Sequence, residues 1–521
     1  MIKDLCKKHW EVLLVNILLL VIFVCFYGKF GDLNVDSFRE AYIPSQILCG
    51  GVLYKNIFNV YAPFSYLFNA FWFSIFGVRL SVLYVLGFLT TTIILNIFYV
   101  ISKFYIDKKY GLGIIVFTIS ASVLSCNVFN MIFPYSFGIL YGILFAMMSL
   151  YFVLKGRYFG AYLMYSFAIC SKYEFILILP LLIWISRKHN PTKNVIAFLI
   201  PVLITFVPLF VKGLNFNDLI ISLQFMISTA ASKSIHWFYS ATGIIFRPQI
   251  IFIYAINLVK ILIPLILVYY FRNWFIYLIS FVYIYLTISQ EVIIYILPLI
   301  LILTIVRIHA MNKPELFFIA ASLLISSKVF FALTLESYGV YFVPFALLSL
   351  FIACPKKYRN AIFVIILLCA LSLGIRNIQK LEYKNIKIST EKGIFYTNSQ
   401  YGEATIDLIR YVEKNTLPKD RICVYPEGLG INFLANRISD NKFYSLIPLY
   451  TEVFGENLII QRIKFIKPEY IVISDYDTSN YYYSKFGNDY AKEIFKYIQD
   501  NYFLEKTFGD AFKYRLFRIK R

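Results

Sequence analysis

Apolar stretches recur along most of the chain, each close to the roughly 20 residues needed to cross a bilayer. They fall near 11–28, 80–102, 111–127, 137–154, 158–171, 175–186, 195–211, 249–271, 274–289, 291–306, 316–334, 341–354 and 361–374. This pattern predicts a polytopic α-helical membrane protein of about 13 spans. Residues 63–77 are apolar too, but they are rich in aromatics and bounded by Pro63 and Gly77. They are expected to lie along the outer interface, where amphipathic aromatics are comfortable, rather than to cross.

After residue 374 the pattern changes. A helical periodicity covers 402–415, followed by the strand-like run 421–426 and a helix near 452–466. The strand-like EYIVISDYD (469–477), a helix near 489–501 and a closing edge at 512–521 complete the chain. Strand, helix and strand in that order predict a small βαβ-like domain. The division expected is therefore 1–374, membrane-embedded, and 375–521, an α/β domain. That second part carries no phosphate-cradling GxGxxG or GxxxxGK[ST].

Composition supports the membrane reading and excludes two others. Of 521 residues, 60% are hydrophobic and only 15% charged, whereas soluble proteins average about 25% charged. Disorder is excluded by the same apolar content. Residues 1–374 hold 27 Lys+Arg against 11 Asp+Glu, and 375–521 hold 23 against 18. With the N-terminus inside, 17 cations fall in the N-terminal segment and inner loops, whereas the turns near 128–136, 289–291 and 335–340 carry none. That is the positive-inside arrangement, and 13 spans then leave 375–521 outside. The net charge of +21 thus points to membrane lipids as partners and not to nucleic acid. Lys3, Lys7 and Lys8 precede the first span with no small-residue cleavage site after it, as in an uncleaved anchor. The 8 cysteines show no CxxC and the 4 histidines offer little for a multi-histidine metal site.

The first outer loop, 29–79, is chemically the richest part of the membrane half. Seven of its eleven acids lie on the outer side by this topology: Asp32, Asp36, Glu40, Glu174, Asp218, Glu291 and Glu336. If 37–49 is helical, Asp36, Arg39 and Glu40 project from neighbouring positions of its first turn. A carboxylate there suits proton abstraction from a hydroxyl, and a guanidinium suits a phosphate. Equally, Asp36 serves as an N-cap and Arg39 with Glu40 as a solvated face.

The run DSFREAYIPSQILCGGVLYKNIFNVYAPFSYLFNAFWFSIFG resembles the first extracytoplasmic loop of lipid-carrier-dependent, GT-C type glycosyltransferases. The aminoarabinose transferase and protein O-mannosyltransferase-like families are the nearest in style. The shared pattern is an acid after the first span (Asp36), an Arg three positions on (Arg39), Leu48 and Gly50 with Tyr54, Pro63, and Phe76-Gly77. The resemblance covers 1–374 and agrees with the N-inside, C-outside plan. It implies that Asp36 is the catalytic base and Arg39 a ligand of the lipid phosphate. Tyr61-Ala62 precede Pro63 where aminoarabinose transferases carry Glu-Lys, and Ser37 follows Asp36 where protein mannosyltransferases often carry a second acid. The implication is therefore a reaction class: sugar transfer from a polyprenyl-phosphate carrier to a lipid, protein or glycan acceptor outside the membrane. No cofactor follows with certainty; a divalent metal stays open. Lys-, Ile-, Phe- and Tyr-heavy usage suggests an AT-rich bacterial genome, hence a bacterial cytoplasmic membrane.

Ionisable residues at membrane depth are costly and mark a site or a pair. Lys172 and Glu174, in SKYEF, sit at an outer turn. They suit a phosphate ligand, as the family's small-Lys motif implies, or a local ion pair. Lys328 and Lys260 offer further cations toward a polyprenyl phosphate, unless shifted boundaries return them to the interface. In the outer segment 212–248, Arg247 is a phosphate or acceptor candidate and His236, beside Trp237, reads as packed. Asp32, Glu40, Tyr54, Lys55 and Glu174 complete the candidate polar site. Tyr338 to Pro344 reads as architectural. The competing functions are a transporter or flippase, for which the expected internal repeat is missing, an oligosaccharide ligase or polymerase, and an inactive assembly factor.

Overall fold

A computed structural model describes residues 2–33, 36–126, 128–230, 232–234, 248–288, 296–330 and 338–520. Among the described residues each predicted apolar stretch falls on a helix. In order these are α1 (Ile2–Cys25), α4 (Leu80–Ser102), α5 (Lys108–Thr118), α6 (Phe137–Leu154), α7 (Tyr158–Ser171), α8 (Leu179–Ser186) and α9 (Pro191–Val211). Then follow α11 (Gln249–Tyr270), α12 (Trp274–Thr287), α13 (Ile296–Arg307), α14 (Lys313–Ile325), α15 (Val343–Ala353) and α16 (Arg359–Glu382). Between α1 and α4 lie two shorter helices, α2 (Arg39–Leu48) and α3 (Phe64–Phe76), where 37–49 and 63–77 were expected. A helix not expected from the sequence, α10 (Phe216–Ala230), follows α9.

Five helical segments among the described residues are long and apolar enough to cross a membrane: α4, α6, α9, α11 and Lys356–Glu382, which ends in α16. Shorter apolar helices accompany them. Large apolar side chains stay exposed along α9 (Val195, Leu199, Leu203, Val207) and α11 (Ile251, Phe252, Val259, Ile263). In water such a surface costs about 25 cal/mol per Å²; in lipid it costs little. The chain is a multi-pass membrane protein.

Local sequence sets several of these elements. Asn312 and Glu315 form a reciprocal capping box at the start of α14, both bonds 2.9 Å. Ser136 caps α6, accepting from the Gly138 N–H at 3.1 Å. Gly87 lets α4 touch the segment before α6: a Cβ there would sit 1.8 Å from the Ile132 carbonyl oxygen. Thr91 donates to the neighbouring Met131 carbonyl at 2.5 Å. The backbone leading into α6, where the site is built, is thereby fixed against α4.

Beyond α16, which continues past residue 374, β1 (Ile386–Thr390) and β2 (Gly393–Thr397) form an antiparallel hairpin, followed by α17 (Ser399–Asn415). Next come β3 (Ile422–Tyr425), α18 (Leu429–Leu434), α19 (Pro448–Phe454), α20 (Glu456–Ile466) and β4 (Tyr470–Ser474). The chain ends with α21 (Lys492–Asn501), β5 (Tyr502–Phe508) and β6 (Tyr514–Ile519). The four-stranded sheet has the order β3-β4-β6-β5, with β3 and β4 parallel and the other pairs antiparallel. The helix expected over 452–466 is broken at Gly455, where φ is 75°, which yields α19 and α20.

The parallel strands β3 and β4 are buried on both faces. Val424 and Val472 join the core shared with the membrane half, while Cys423, Ile471 and Ile473 join a separate core under α20 and α21. This period-two division seats one face of the sheet region on the first loop. Ser439 N–H donates to the Tyr42 hydroxyl at 2.9 Å, and Lys384 Nζ donates to the Gly31 and Cys126 carbonyls at 2.5 and 2.7 Å. Phe38 meets Phe395 with ring centroids 5.0 Å apart.

Candidate functional site

Asp36 lies just ahead of α2 with φ 42°, a left-handed conformation uncommon for residues other than glycine and costly unless the surroundings enforce it. It is not an N-cap. Phe38 holds the capping position of α2 without a side-chain bond, and the Asp36 carboxylate instead pairs with Arg39, Oδ1 to Nη1 at 2.6 Å. Arg39 and Glu40 are buried rather than solvated. Arg39 Nη2 donates to the Tyr135 carbonyl at 3.2 Å, and its guanidinium lies 4.6 Å from the Tyr61 ring and 5.3 Å from the Tyr135 ring. Held on these contacts, Arg39 presents Asp36 in one geometry.

Glu40 turns away from this pair. Its Oε2 accepts the Phe137 N–H at 2.9 Å, at the positive end of α6. Its Oε1 faces Arg39 Nε at 3.7 Å, and neither atom has a hydrogen-bond partner among the described residues. Burial raises the Glu40 carboxyl above its ordinary value, against the opposing pull of Arg39 and the Phe137 N–H.

Lys172 ends α7 and is 4% exposed. Its ammonium sits 5.0 Å from the Tyr61 ring and 5.3 Å from those of Tyr135 and Tyr338. Such a tyrosine cage stabilises a desolvated cation. The local Lys172–Glu174 pair is not formed. Glu174 pairs instead with Lys328 at 2.7 Å and accepts from the Tyr338 hydroxyl at 3.0 Å. Tyr338 is thus part of the charged cluster, not only architecture.

These groups line one cavity of about 280 Å³, with Asp36, Arg39, Lys172, Glu174 and Lys328 on its wall. Phe225, Met226 and Thr229 of α10 line it too, as do Glu427, Tyr450 and Tyr481 from the C-terminal region. A narrower adjoining cavity is lined by Asp36, Arg39, Glu427, Tyr444 and Ser445. A desolvated ammonium and a fixed guanidinium can hold a phosphate, and the adjacent carboxylate can take a proton.

Other sequence candidates fall outside the cavity wall. Tyr54 supports it from behind, its hydroxyl donating to the Tyr61 carbonyl at 2.6 Å. Lys55 donates to the Gly213 carbonyl at 2.9 Å and lines a separate surface cleft with Lys442 and Arg462. The Asp32 N–H donates to Ser37 Oγ at 3.1 Å, and Lys260 lies mid-way along α11. Arg247, His236, Glu291 and Glu336 lie outside the described residues. Among the described residues no group of three or more His, Cys, Asp or Glu is arranged to hold a metal. Sequence reasoning missed Glu427 and the tyrosines. The one signal was Tyr61, noted only because Tyr61-Ala62 stands where the aminoarabinose-transferase pattern has Glu-Lys.

No family model and no curated protein matches the chain. Solved structures do. ArnT from Cupriavidus metallidurans bound to undecaprenyl phosphate is 12% identical, with 98% of each chain covered and a TM-score of 0.52. The Archaeoglobus fulgidus oligosaccharyltransferase in the apo form is 12% identical, covering 90% of this chain and 70% of its own, with a TM-score of 0.49. At this identity the likeness to ArnT is one of fold, and it runs the length of the chain: the architecture is the GT-C type that the first loop resembles.

Proposed function

We propose that the chain is a membrane glycosyltransferase that moves a sugar from a polyprenyl-phosphate carrier to an acceptor hydroxyl on the extracytoplasmic face of the membrane. The observation that carries this reading is the caged Lys172 ammonium opening on the same cavity as the Asp36–Arg39 pair. The chemistry needs an anion site for the leaving phosphate and a base for the incoming hydroxyl. Lys172 supplies the first, with Arg39 and Lys328 beside it; Asp36 supplies the second. The N-terminus lies inside and residues 375–521 outside, in keeping with the cationic inner loops. Undecaprenyl phosphate bound to ArnT, a protein of the same fold, supports a carrier of that chemistry.

In the reaction the acceptor proton passes to Asp36 and the hydroxyl oxygen bonds to the sugar's anomeric carbon. The bond from that carbon to the phosphate oxygen breaks, and the polyprenyl phosphate leaves with the electron pair. Purified chain in nanodiscs, given a labelled polyprenyl-phosphate sugar and acceptor-bearing membrane extract, should release polyprenyl phosphate and label the acceptor. A donor that stays intact under these conditions contradicts the proposal.

A further inference from the structure

Glu427 reaches the cavity from the far end of the chain. It follows β3 directly at the turn into α18, where Gly428 packs so tightly on the strand that a Cβ would lie 2.3 Å from Val424 Cγ1. The Glu427 carbonyl accepts from Ser474 Oγ of β4 at 3.4 Å, and Ser445 Oγ donates to Glu427 Oε1 at 3.1 Å. The sheet thus holds the Glu427 backbone and Ser445 its carboxyl, and the side chain lines both adjoining cavities together with Asp36 and Arg39.

The charged and titratable groups facing it come from three places. Asp32, Asp36 and Arg39 belong to the first loop; Tyr444 and Tyr450 precede or begin the α19 turn; Tyr476 and Tyr481 follow β4. Lys172 and the Lys328–Glu174 pair lie along the larger cavity. Arg39 is already bonded to Asp36. Two carboxyls thus face one committed guanidinium, and that arrangement disfavours ionising both. Burial first, and the nearby Asp36 second, push the Glu427 carboxyl up to about 8.

We infer that Glu427 is a further catalytic carboxyl, a hydrogen-bond donor that binds the acceptor hydroxyl in the cavity it lines with Asp36. The inference rests on the reading of the cavity as a transfer site. The hydroxyl donates to the Asp36 carboxylate and accepts from protonated Glu427, which leaves its second lone pair free to attack. The acceptor proton ends on Asp36, Glu427 keeps its own, and the electron pair of the broken bond departs with the phosphate. A neutral Glu427 also spares the leaving phosphate a second negative neighbour. Because the protonated form is the active one, turnover falls as pH rises through about 8.

Glu427→Gln keeps a neutral donor at this position and separates the possibilities. The alkaline limb should vanish in Glu427→Gln, which cannot titrate, whereas Glu427→Ala should lose about tenfold or more in turnover across the whole pH range. A limb unchanged in Glu427→Gln overturns the inference, and so does a loss of about a hundredfold at neutral pH, which would make the ionised carboxylate the working form. Infrared difference titration of the full chain in nanodiscs gives a readout that does not need turnover. A protonated-carboxyl band should titrate near pH 8 and be missing from Glu427→Gln; identical bands in the two proteins contradict the assignment. If that band is present but no sugar moves, the transfer reading falls while the protonated Glu427 stands.

Discussion

Two cavities of similar size, each about 280 Å³, differ completely in what they show a ligand. One lies between α11, α13, α15 and α16, and its wall is leucine and isoleucine with Phe117, Cys354, Cys369 and Tyr358. The other gathers Asp36, Arg39, Lys172, Glu174, Lys328 and Glu427. Placing ionisable groups in a membrane protein is expensive, so their concentration in one of two equal spaces separates packing from chemistry. The apolar cavity costs little to leave open in a helix bundle bathed by lipid. The charged one is held by dedicated contacts: the tyrosine cage on Lys172, the Lys328–Glu174 pair and the strained backbone at Asp36.

Substitutions should break this contrast in a graded way. The largest effect falls on turnover. Asp36→Asn keeps the shape but removes the base, and should cost about 10²–10⁴-fold in sugar release, read from labelled polyprenyl phosphate, with donor binding retained. Next, Leu347→Ala, on the apolar cavity wall, should lower stability in a denaturation assay by about 2–4 kcal/mol and leave donor affinity unchanged. Lys172→Met should do the reverse: affinity for the carrier, measured by equilibrium binding, drops by about 2 kcal/mol while the thermal midpoint holds. The smallest change is Tyr338→Phe, which removes the bond to Glu174 and should weaken donor binding by about 1 kcal/mol. Equal responses at Leu347 and Lys172 would erase the distinction between the two spaces.

The helices were legible because a membrane span writes itself as a long apolar run, and no tertiary context is needed to read it. Among the described residues the apolar stretches and 63–77 therefore fall on helices. Helix α10 was not legible, since its run is short and broken by Asn217, Asp218 and Gln224. The hairpin β1–β2 and strand β5 were missed for a related reason: KNIKIST and YFLEKTF alternate too weakly to separate from loop.

In the site, the pairing of Asp36 with Arg39 was within reach because the two are neighbours in sequence. Lys328 with Glu174 was not, since that bond joins positions 154 residues apart. Glu427 was invisible for the same reason. Nothing in its own surroundings, YPEGLG, marks it, and its meaning comes only from the sheet docking on the first loop. Tyr61, Tyr135 and Tyr338 look like ordinary aromatics among 43 tyrosines until their rings are seen around one ammonium.

The central claim is that a carrier phosphate seats at Lys172, within the charged cavity. A polyprenyl phosphate bearing a photoreactive group next to its phosphate tests this directly, with mass spectrometry locating the label on the chain. The label is expected on peptides containing Tyr61, Tyr135 or Tyr338, to be competed by unmodified polyprenyl phosphate and to be lost in Lys172→Met. Labelling confined to α11, α13 or α16, or unaffected by Lys172→Met, would contradict it.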